Sequence, residues 1–121
     1  MKRIIIIDDD PGIQEAFRIL FESTGYQVII YPDAGKLFEE HIPADLYIID
    51  KQLSGIDGLE LCKHLKSQQA TRHIPVIMLS ASPSIVRLSQ LAGADDAIEK
   101  PFSIKQMRQK VDQYLRLNTT V

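Results

Sequence analysis

The chain of 121 residues is long enough for one domain that buries most of the surface its unfolded form exposes. Hydrophobic residues make up 45% of it and charged residues 25%, which is ordinary globular usage and excludes a disordered or collagen-like chain. The net charge of -2 lacks the basic excess of a nucleic-acid-binding domain, so we expect no direct nucleic-acid binding.

No apolar run is long enough to span a bilayer, and no basic segment followed by a long apolar run indicates a secretory signal. We therefore expect a cytoplasmic protein that makes no membrane contact. No linker, repeat or low-complexity segment divides the chain, so residues 1–121 are predicted to form a single domain.

Short β-branched or apolar runs alternate with longer stretches of helical periodicity, which is the pattern of a parallel sheet covered by helices on both faces. The predicted strands are Arg3–Ile7, Gln27–Tyr31, Leu46–Ile49, Val76–Leu79 and a weaker one at Ala97–Glu99. Continuous apolar runs such as IIII and LYII suit strands that are buried on both faces.

Five helices are predicted, one after each strand. The first has an apolar stripe formed by Ile13, Ala16, Phe17, Leu20 and Phe21. Gly25 is predicted to stand at its C-terminal stop, and Gly93 at the end of the fourth helix. This (βα)5 order is compatible with a flavodoxin-like α/β fold, a three-layer sandwich whose parallel five-stranded sheet has the order 2-1-3-4-5.

Polar residues follow the carboxyl ends of four predicted strands, which is where ligands bind in this fold. They are Asp8, Asp9 and Asp10 after the first strand, Asp50 after the third, Ser80 after the fourth and Lys100 after the fifth. We expect all of them to converge on one edge of the sheet.

The three consecutive aspartates are predicted to have different roles. Asp10 precedes Pro11, and an aspartate N-cap before a proline is a favourable helix start. Asp8 and Asp9 would share a crevice with Asp50, where unpaired carboxylates repel and raise one another's pKa values. A divalent cation relieves that repulsion, and Mg²⁺ suits a few carboxylates, waters and phosphoryl oxygens. The competing interpretation is that these acids are simply exposed loop residues.

Beside Mg²⁺, the Asp50 carboxylate is a candidate nucleophile that would form an aspartyl phosphate. Lys100 would neutralise the charge that develops on the phosphoryl oxygens, and the Ser80 hydroxyl would donate to one of them. A lysine or serine in such a position is more often a surface or turn residue, so this prediction depends on the whole constellation.

With these residues the sequence resembles the receiver domain of two-component response regulators, the CheY-like superfamily, over essentially the whole chain. The matching segments are IIIIDDDPGI, DLYIIDKQLSGIDGLEL, IPVIMLSA and GADDAIEKPF. The resemblance implies that Asp8 and Asp9 serve Mg²⁺, that Asp50 is the phosphoacceptor, that Ser80 is the switch hydroxyl, and that Lys100 is the lysine of the family's site.

The resemblance also implies three finer features. The backbone carbonyl of Gln52 would be a further metal ligand, the small Ala81 would leave the phosphoryl site open, and the Lys100–Pro101 peptide bond would be cis.

Two positions depart from the family pattern. Ala97 stands where the family usually has an aromatic ring that swings inward when the switch hydroxyl moves. Output through the fourth helix, fifth strand and fifth helix is then either reduced or carried by backbone shifts, or Ala97 is a tolerated variation with normal signalling. Ser54 stands where the family often has proline, and we expect a slightly looser loop with little functional consequence.

The remaining candidates for chemistry are predicted to be structural. Cys62 lies on the apolar side of the third helix, which favours core packing and excludes a disulfide within the chain or a thiolate metal site. His41, His64 and His73 lie in different elements without the spacing of metal ligands.

The resemblance implies a signalling switch that takes a phosphoryl group from a sensor histidine kinase or a histidine phosphotransfer protein. It would then act on a downstream protein or on an output domain, which residues 1–121 are expected not to contain. Its only expected catalysis is of its own phosphorylation and dephosphorylation.

Three alternatives stay open at this point. An aspartate-nucleophile phosphatase would need a second acid where Gln52 stands. A flavodoxin would need a hydroxyl- and glycine-rich loop after the first strand. A receiver-like binding module would act without phosphorylation.

Overall fold

A five-stranded parallel sheet forms the centre of the computed structural model, which describes residues 1–40 and 42–116. The strands are β1 (Arg3–Ile7), β2 (Gln27–Tyr31), β3 (Leu46–Asp50), β4 (Gln52–Leu53), β5 (Ile56–Asp57), β6 (Val76–Ser80) and β7 (Asp96–Glu99). The sheet has the order β2-β1-β3-β6-β7, and β4 pairs with β5 in a separate antiparallel hairpin. The predicted flavodoxin-like order is therefore confirmed, and each predicted strand matches within one residue at either end.

The helices flank the sheet on both faces. They are α1 (Pro11–Phe21), α2 (Gly35–Glu39), α3 (Gly58–Ser67), α4 (Ile85–Ala92) and α5 (Ile104–Arg116). Side chains alternate between the two faces of a strand, so the run IIII supplies two cores. Ile5 and Ile7 pack in the core that contains α2, α3 and α4, whereas Ile4 and Ile6 pack in the core that contains α1 and α5.

The predicted role of Gly25 is wrong. Helix α1 ends at Phe21 with Glu22 as its C-cap, and Gly25 follows three residues later with a φ of +83°. The glycine serves the turn into β2, where the left-handed conformation is costly for other residues. Gly93 does end α4, as predicted, with a φ of +87°.

Cys62 packs in the core as expected. Its side chain is fully buried, and its Sγ lies 3.6 Å from the Ala92 carbonyl oxygen. Burial raises the pKa of the thiol to about 11, so the reactive thiolate is scarce at neutral pH.

Within the described ranges 1–40 and 42–116, no helix has the length and apolar character needed to cross a bilayer. The cytoplasmic location stays a prediction. His41 lies outside the described residues, as do residues 117–121.

Candidate metal and phosphoacceptor site

Three carboxylates meet at the carboxyl edge of the sheet. Asp8 directly follows β1 and Asp50 ends β3, and these neighbouring parallel strands bring both side chains to the same crevice. One carboxylate oxygen from each of Asp8, Asp9 and Asp50 lies within 4.8 Å of the others. Asp8 and Asp50 are buried, whereas Asp9 is half-buried.

Lys100 brings one positive charge to this cluster. Its Nζ lies 3.3 Å from Asp8 Oδ2 and 3.3 Å from Asp50 Oδ1. Its backbone N–H donates to the Ser80 carbonyl oxygen at 2.8 Å, which holds the end of β7 beside the end of β6. The Lys100–Pro101 peptide bond is cis.

The environment of Asp50 disfavours its ionised form. Burial raises the pKa of its carboxyl, and the charge of Asp8 raises it further, while Lys100 and the Gln52 backbone N–H act in the opposite direction. One ammonium therefore stands among three carboxylates, and the cluster keeps an excess of negative charge. Because the donors are all carboxylate oxygens, the site fits a hard divalent cation such as Mg²⁺.

The loop after β1 is held by its own hydrogen bonds. Asp8 Oδ1 accepts from the Asp10 N–H at 2.9 Å, and Gln14 Nε2 donates to the Asp8 carbonyl oxygen at 2.7 Å. Asp10 Oδ1 accepts from the N–H groups of Gly12 and Ile13 at 2.8 and 3.4 Å, with Pro11 at the start of α1. The predicted helix cap is confirmed, and the cap occupies one oxygen of the third aspartate.

The segment after β3 runs close beneath the site. The Gln52 N–H donates to Asp50 Oδ1 at 3.4 Å, and the Gly58 N–H donates to the Lys51 carbonyl oxygen at 2.7 Å. A Cβ at position 58 would overlap the Asp50 carbonyl oxygen, so only glycine fits there. The predicted ligand role of the Gln52 carbonyl stays a prediction.

Ser80 ends β6 at the same edge, and its side chain is buried. Its Oγ accepts from the Ser82 N–H at 3.1 Å, which leaves its own O–H as a donor. Ala97 is half-buried in β7 and lines a cavity of about 80 Å³ between that strand and α4. The consequence of Ala97 for output stays a prediction.

The sequence analysis missed one contact of the site. The Ser54 hydroxyl donates to Asp9 Oδ2 at 2.9 Å, although the two residues lie 45 positions apart. The only signal in the sequence was a hydroxyl residue in place of a turn proline, and that signal does not say which loop the hydroxyl faces.

The fold and the site define the class of protein. The flavodoxin-like sheet has an acidic cluster and the half-buried Lys100 at its carboxyl edge, which is where ligands bind in folds of this class. The chain belongs to the response regulator receiver domain family, because the family model for the response regulator receiver domain matches residues 4–112. Members of this family are signalling switches rather than enzymes that turn over a metabolite.

Individual relatives agree with this assignment. The DNA-binding dual master transcriptional regulator RpaA of Synechocystis is 38% identical over 120 residues, which cover 96% of this chain and 50% of RpaA. The phosphate regulon transcriptional regulatory protein PhoB of Escherichia coli is 36% identical over 120 residues, which cover 95% of this chain and 52% of PhoB. The chain thus spans about half the length of these curated relatives.

A solved structure with a similar fold carries ligands. The response regulator protein TrrA of Thermotoga maritima, in complex with Mg²⁺ and BeF, superposes with a TM-score of 0.83 at 28% identity. The match covers 95% of this chain and 100% of the TrrA chain.

Proposed function

We propose that the domain is switched by phosphorylation of Asp50. The observation that carries this proposal is the buried Asp50 carboxylate, which lies 3.3 Å from the Lys100 ammonium and beside two further carboxylates. Asp8, Asp9 and the Gln52 carbonyl would hold Mg²⁺. The cation, when bound, neutralises charge on the transferring phosphoryl group and orients it.

Asp50 is the nucleophile of the proposed reaction. Its carboxylate oxygen forms a bond to the phosphorus of a phosphohistidine, while the bond between phosphorus and the imidazole nitrogen breaks. The imidazole leaves with that electron pair and takes up a proton. Lys100 changes partner from the carboxylate to the phosphoryl oxygens, and the Ser80 O–H donates to another of them.

The phosphodonor is proposed to be a protein, either a sensor histidine kinase or a histidine phosphotransfer protein. An apolar groove of about 340 Å³ lies next to the site and is lined by Ile13, Ala81, Phe102 and Ile104, together with Lys100 itself. Ile104 is 59% exposed at the start of α5. A donor that places its phosphohistidine at Asp50 would cover this groove, because the groove and the site share Lys100.

The output is proposed to be a change in binding to a downstream protein or to an output domain in a longer chain. Phosphorylation must stabilise one conformation over another, and a shift from 1:99 to 99:1 requires about 5.5 kcal/mol. A new phosphoryl group held by Lys100 and Ser80 acts on the ends of β6 and β7, which adjoin α4 and α5 in sequence.

Intact-mass spectrometry tests the proposal. The protein is incubated with acetyl phosphate, with and without Mg²⁺, as wild type, Asp50→Asn and Asp10→Asn. We expect one Mg²⁺-dependent phosphoryl adduct in the wild type and none in Asp50→Asn. Asp10→Asn is the matched control and should keep the adduct, because asparagine is also a good N-cap.

The same experiment separates the alternatives. A wild type without adduct under any condition would make the domain a binding module that acts without phosphorylation. Sustained turnover of a phosphate ester would instead support the phosphatase, although Gln52 stands where such an enzyme needs a second acid.

A further inference from the structure

A hydrogen bond joins two loops that both contribute to the carboxyl edge of the sheet. Ser54 Oγ donates to Asp9 Oδ2 at 2.9 Å. Asp9 lies in the loop between β1 and α1, and Ser54 lies in the turn between β4 and β5. The contact therefore fixes the position of one loop relative to the other.

The turn that carries Ser54 is short and well defined. Leu53 pairs with Ile56 across the hairpin, so Ser54 and Gly55 are its two central residues. Gly55 has a φ of +80°, which is the conformation that the second central residue of a type II turn requires. Proline is favoured at the first central position of such a turn. This chain has serine at that position. Serine supplies a hydroxyl group, but it lacks the restricted φ that proline would give the turn.

Asp9 is the member of the acidic cluster that the fold constrains least. Asp8 and Asp50 are buried and both contact Lys100, whereas Asp9 is half-buried. The Ser54 hydroxyl is neutral, so it orients the Asp9 carboxylate without cancelling the charge that would attract a cation. The same hairpin begins at Gln52, whose N–H bonds to Asp50.

We propose that Ser54 is a positioning residue of the metal site: its hydroxyl holds the Asp9 carboxylate in the orientation in which it shares a pocket with Asp8 and Asp50. This inference rests on the proposed Mg²⁺-dependent function. Hydrogen-bond partners of metal ligands commonly change metal affinity by about 10- to 100-fold when they are removed. Ser54 therefore has a functional role that its position in an exposed turn does not suggest.

The test is a titration of ¹⁵N-labelled protein with MgCl₂ alone, in which Mg²⁺ binding is monitored by the chemical shifts of the backbone amides. We expect Ser54→Ala to raise the Mg²⁺ dissociation constant about tenfold, and Ser54→Thr to keep it within about threefold of wild type. Ser23→Ala is the matched control in the turn between α1 and β2, at the opposite edge of the sheet, and should behave as wild type.

The variant Ser54→Pro distinguishes the effect of the hydroxyl on Mg²⁺ affinity from the effect of turn stiffness. The proline suits the turn but lacks the hydroxyl, so we expect it to bind Mg²⁺ as weakly as Ser54→Ala. Wild-type affinity in Ser54→Pro would mean that turn geometry alone matters, and it would overturn the inference. Thermal unfolding without Mg²⁺ should be nearly the same in wild type and Ser54→Ala, because the lost hydrogen bond is exposed.

The titration distinguishes failure of the inference about Ser54 from failure of the proposed metal-dependent function. If wild type binds Mg²⁺ and Ser54→Ala binds it equally well, the role of Ser54 is refuted and the proposed function stands. If wild type itself gives no saturable response to MgCl₂, the metal-dependent function and the role of Ser54 are both refuted.

Discussion

Lys100 and Asp50 form an ion pair at the carboxyl edge of the sheet, with Nζ 3.3 Å from Oδ1. The same ammonium lies 3.3 Å from Asp8 Oδ2, so one cation serves two buried carboxylates. The proposed acceptor is thus paired before any phosphoryl group arrives. Phosphorylation would move the lysine from the carboxylate to the phosphoryl oxygens, and this exchange connects the chemistry to the end of β7.

Asp50→Asn should stabilise the metal-free protein near neutral pH. Burial and the charge of Asp8 raise the pKa of Asp50 above the ordinary value of 3.8, so its ionisation disfavours the folded state. Relative to Asp50→Asn, the wild type should therefore lose stability as pH rises from 3.8 through the raised pKa of Asp50. We expect a gain on the order of 1 kcal/mol in the free energy of unfolding, measured by urea denaturation. Equal free energies of unfolding for wild type and Asp50→Asn at neutral pH would contradict an unfavourable effect of Asp50 ionisation on the folded state.

Asp96→Asn should have the opposite effect. Burial alone would raise the pKa of Asp96, but hydrogen bonds from Lys110, the Ala97 N–H and Tyr114 lower it below 3.8. The ionised carboxylate therefore stabilises the folded state above 3.8, and this contribution is lost as pH falls through the lowered pKa. We expect Asp96→Asn to cost about 1 kcal/mol near neutral pH and less in acid, by urea denaturation across pH. If Asp96→Asn lowered the free energy of unfolding by the same amount at every pH, the loss would come from altered packing rather than from the charge of Asp96.

Ser89→Ala should stabilise the protein slightly. Among the described residues, the Ser89 Oγ is the buried side-chain polar atom without a hydrogen-bond partner, and it lies in the middle of α4. Alanine removes the unpaired hydroxyl and has a higher helix propensity. We expect a gain of about 0.5–1 kcal/mol in the free energy of unfolding. A loss of stability would show that the hydroxyl has a partner, such as a bound water.

Ile104→Ser should slow phosphoryl transfer from a protein donor about tenfold while leaving transfer from acetyl phosphate unchanged. The reason is that Ile104 lines the groove beside Lys100, whereas a small donor does not need that groove. Ile19→Ser is the matched control, because Ile19 is 60% exposed in the last turns of α1, away from the carboxyl edge. Adduct formation over time by mass spectrometry measures both rates. Equal effects with both donors would place Ile104 in the chemistry rather than in docking.

The strand and helix pattern was readable from the sequence because it depends on local periodicity. The run IIII alternates between two cores, and the acids follow strands whose ends a parallel sheet must bring together. The Asp10 cap was equally local, since the aspartate and the N–H groups it accepts from lie within three residues. Gly25 was misassigned because a glycine signals a left-handed residue without saying whether it ends a helix or turns a loop.

The strand pattern and the edge at which the polar residues gather could be predicted from the sequence alone, because both follow from spacing along the chain. The family was recognised from the resemblance of four segments to the receiver domain, and the family model confirms it. The folded chain was needed to see that Lys100 contacts both Asp8 and Asp50, and that the Ser54 hydroxyl donates to Asp9. These contacts join residues that lie 45 to 92 positions apart, and they depend on how loops of particular length and turn type fold over the edge of the sheet. No local pattern contains that information.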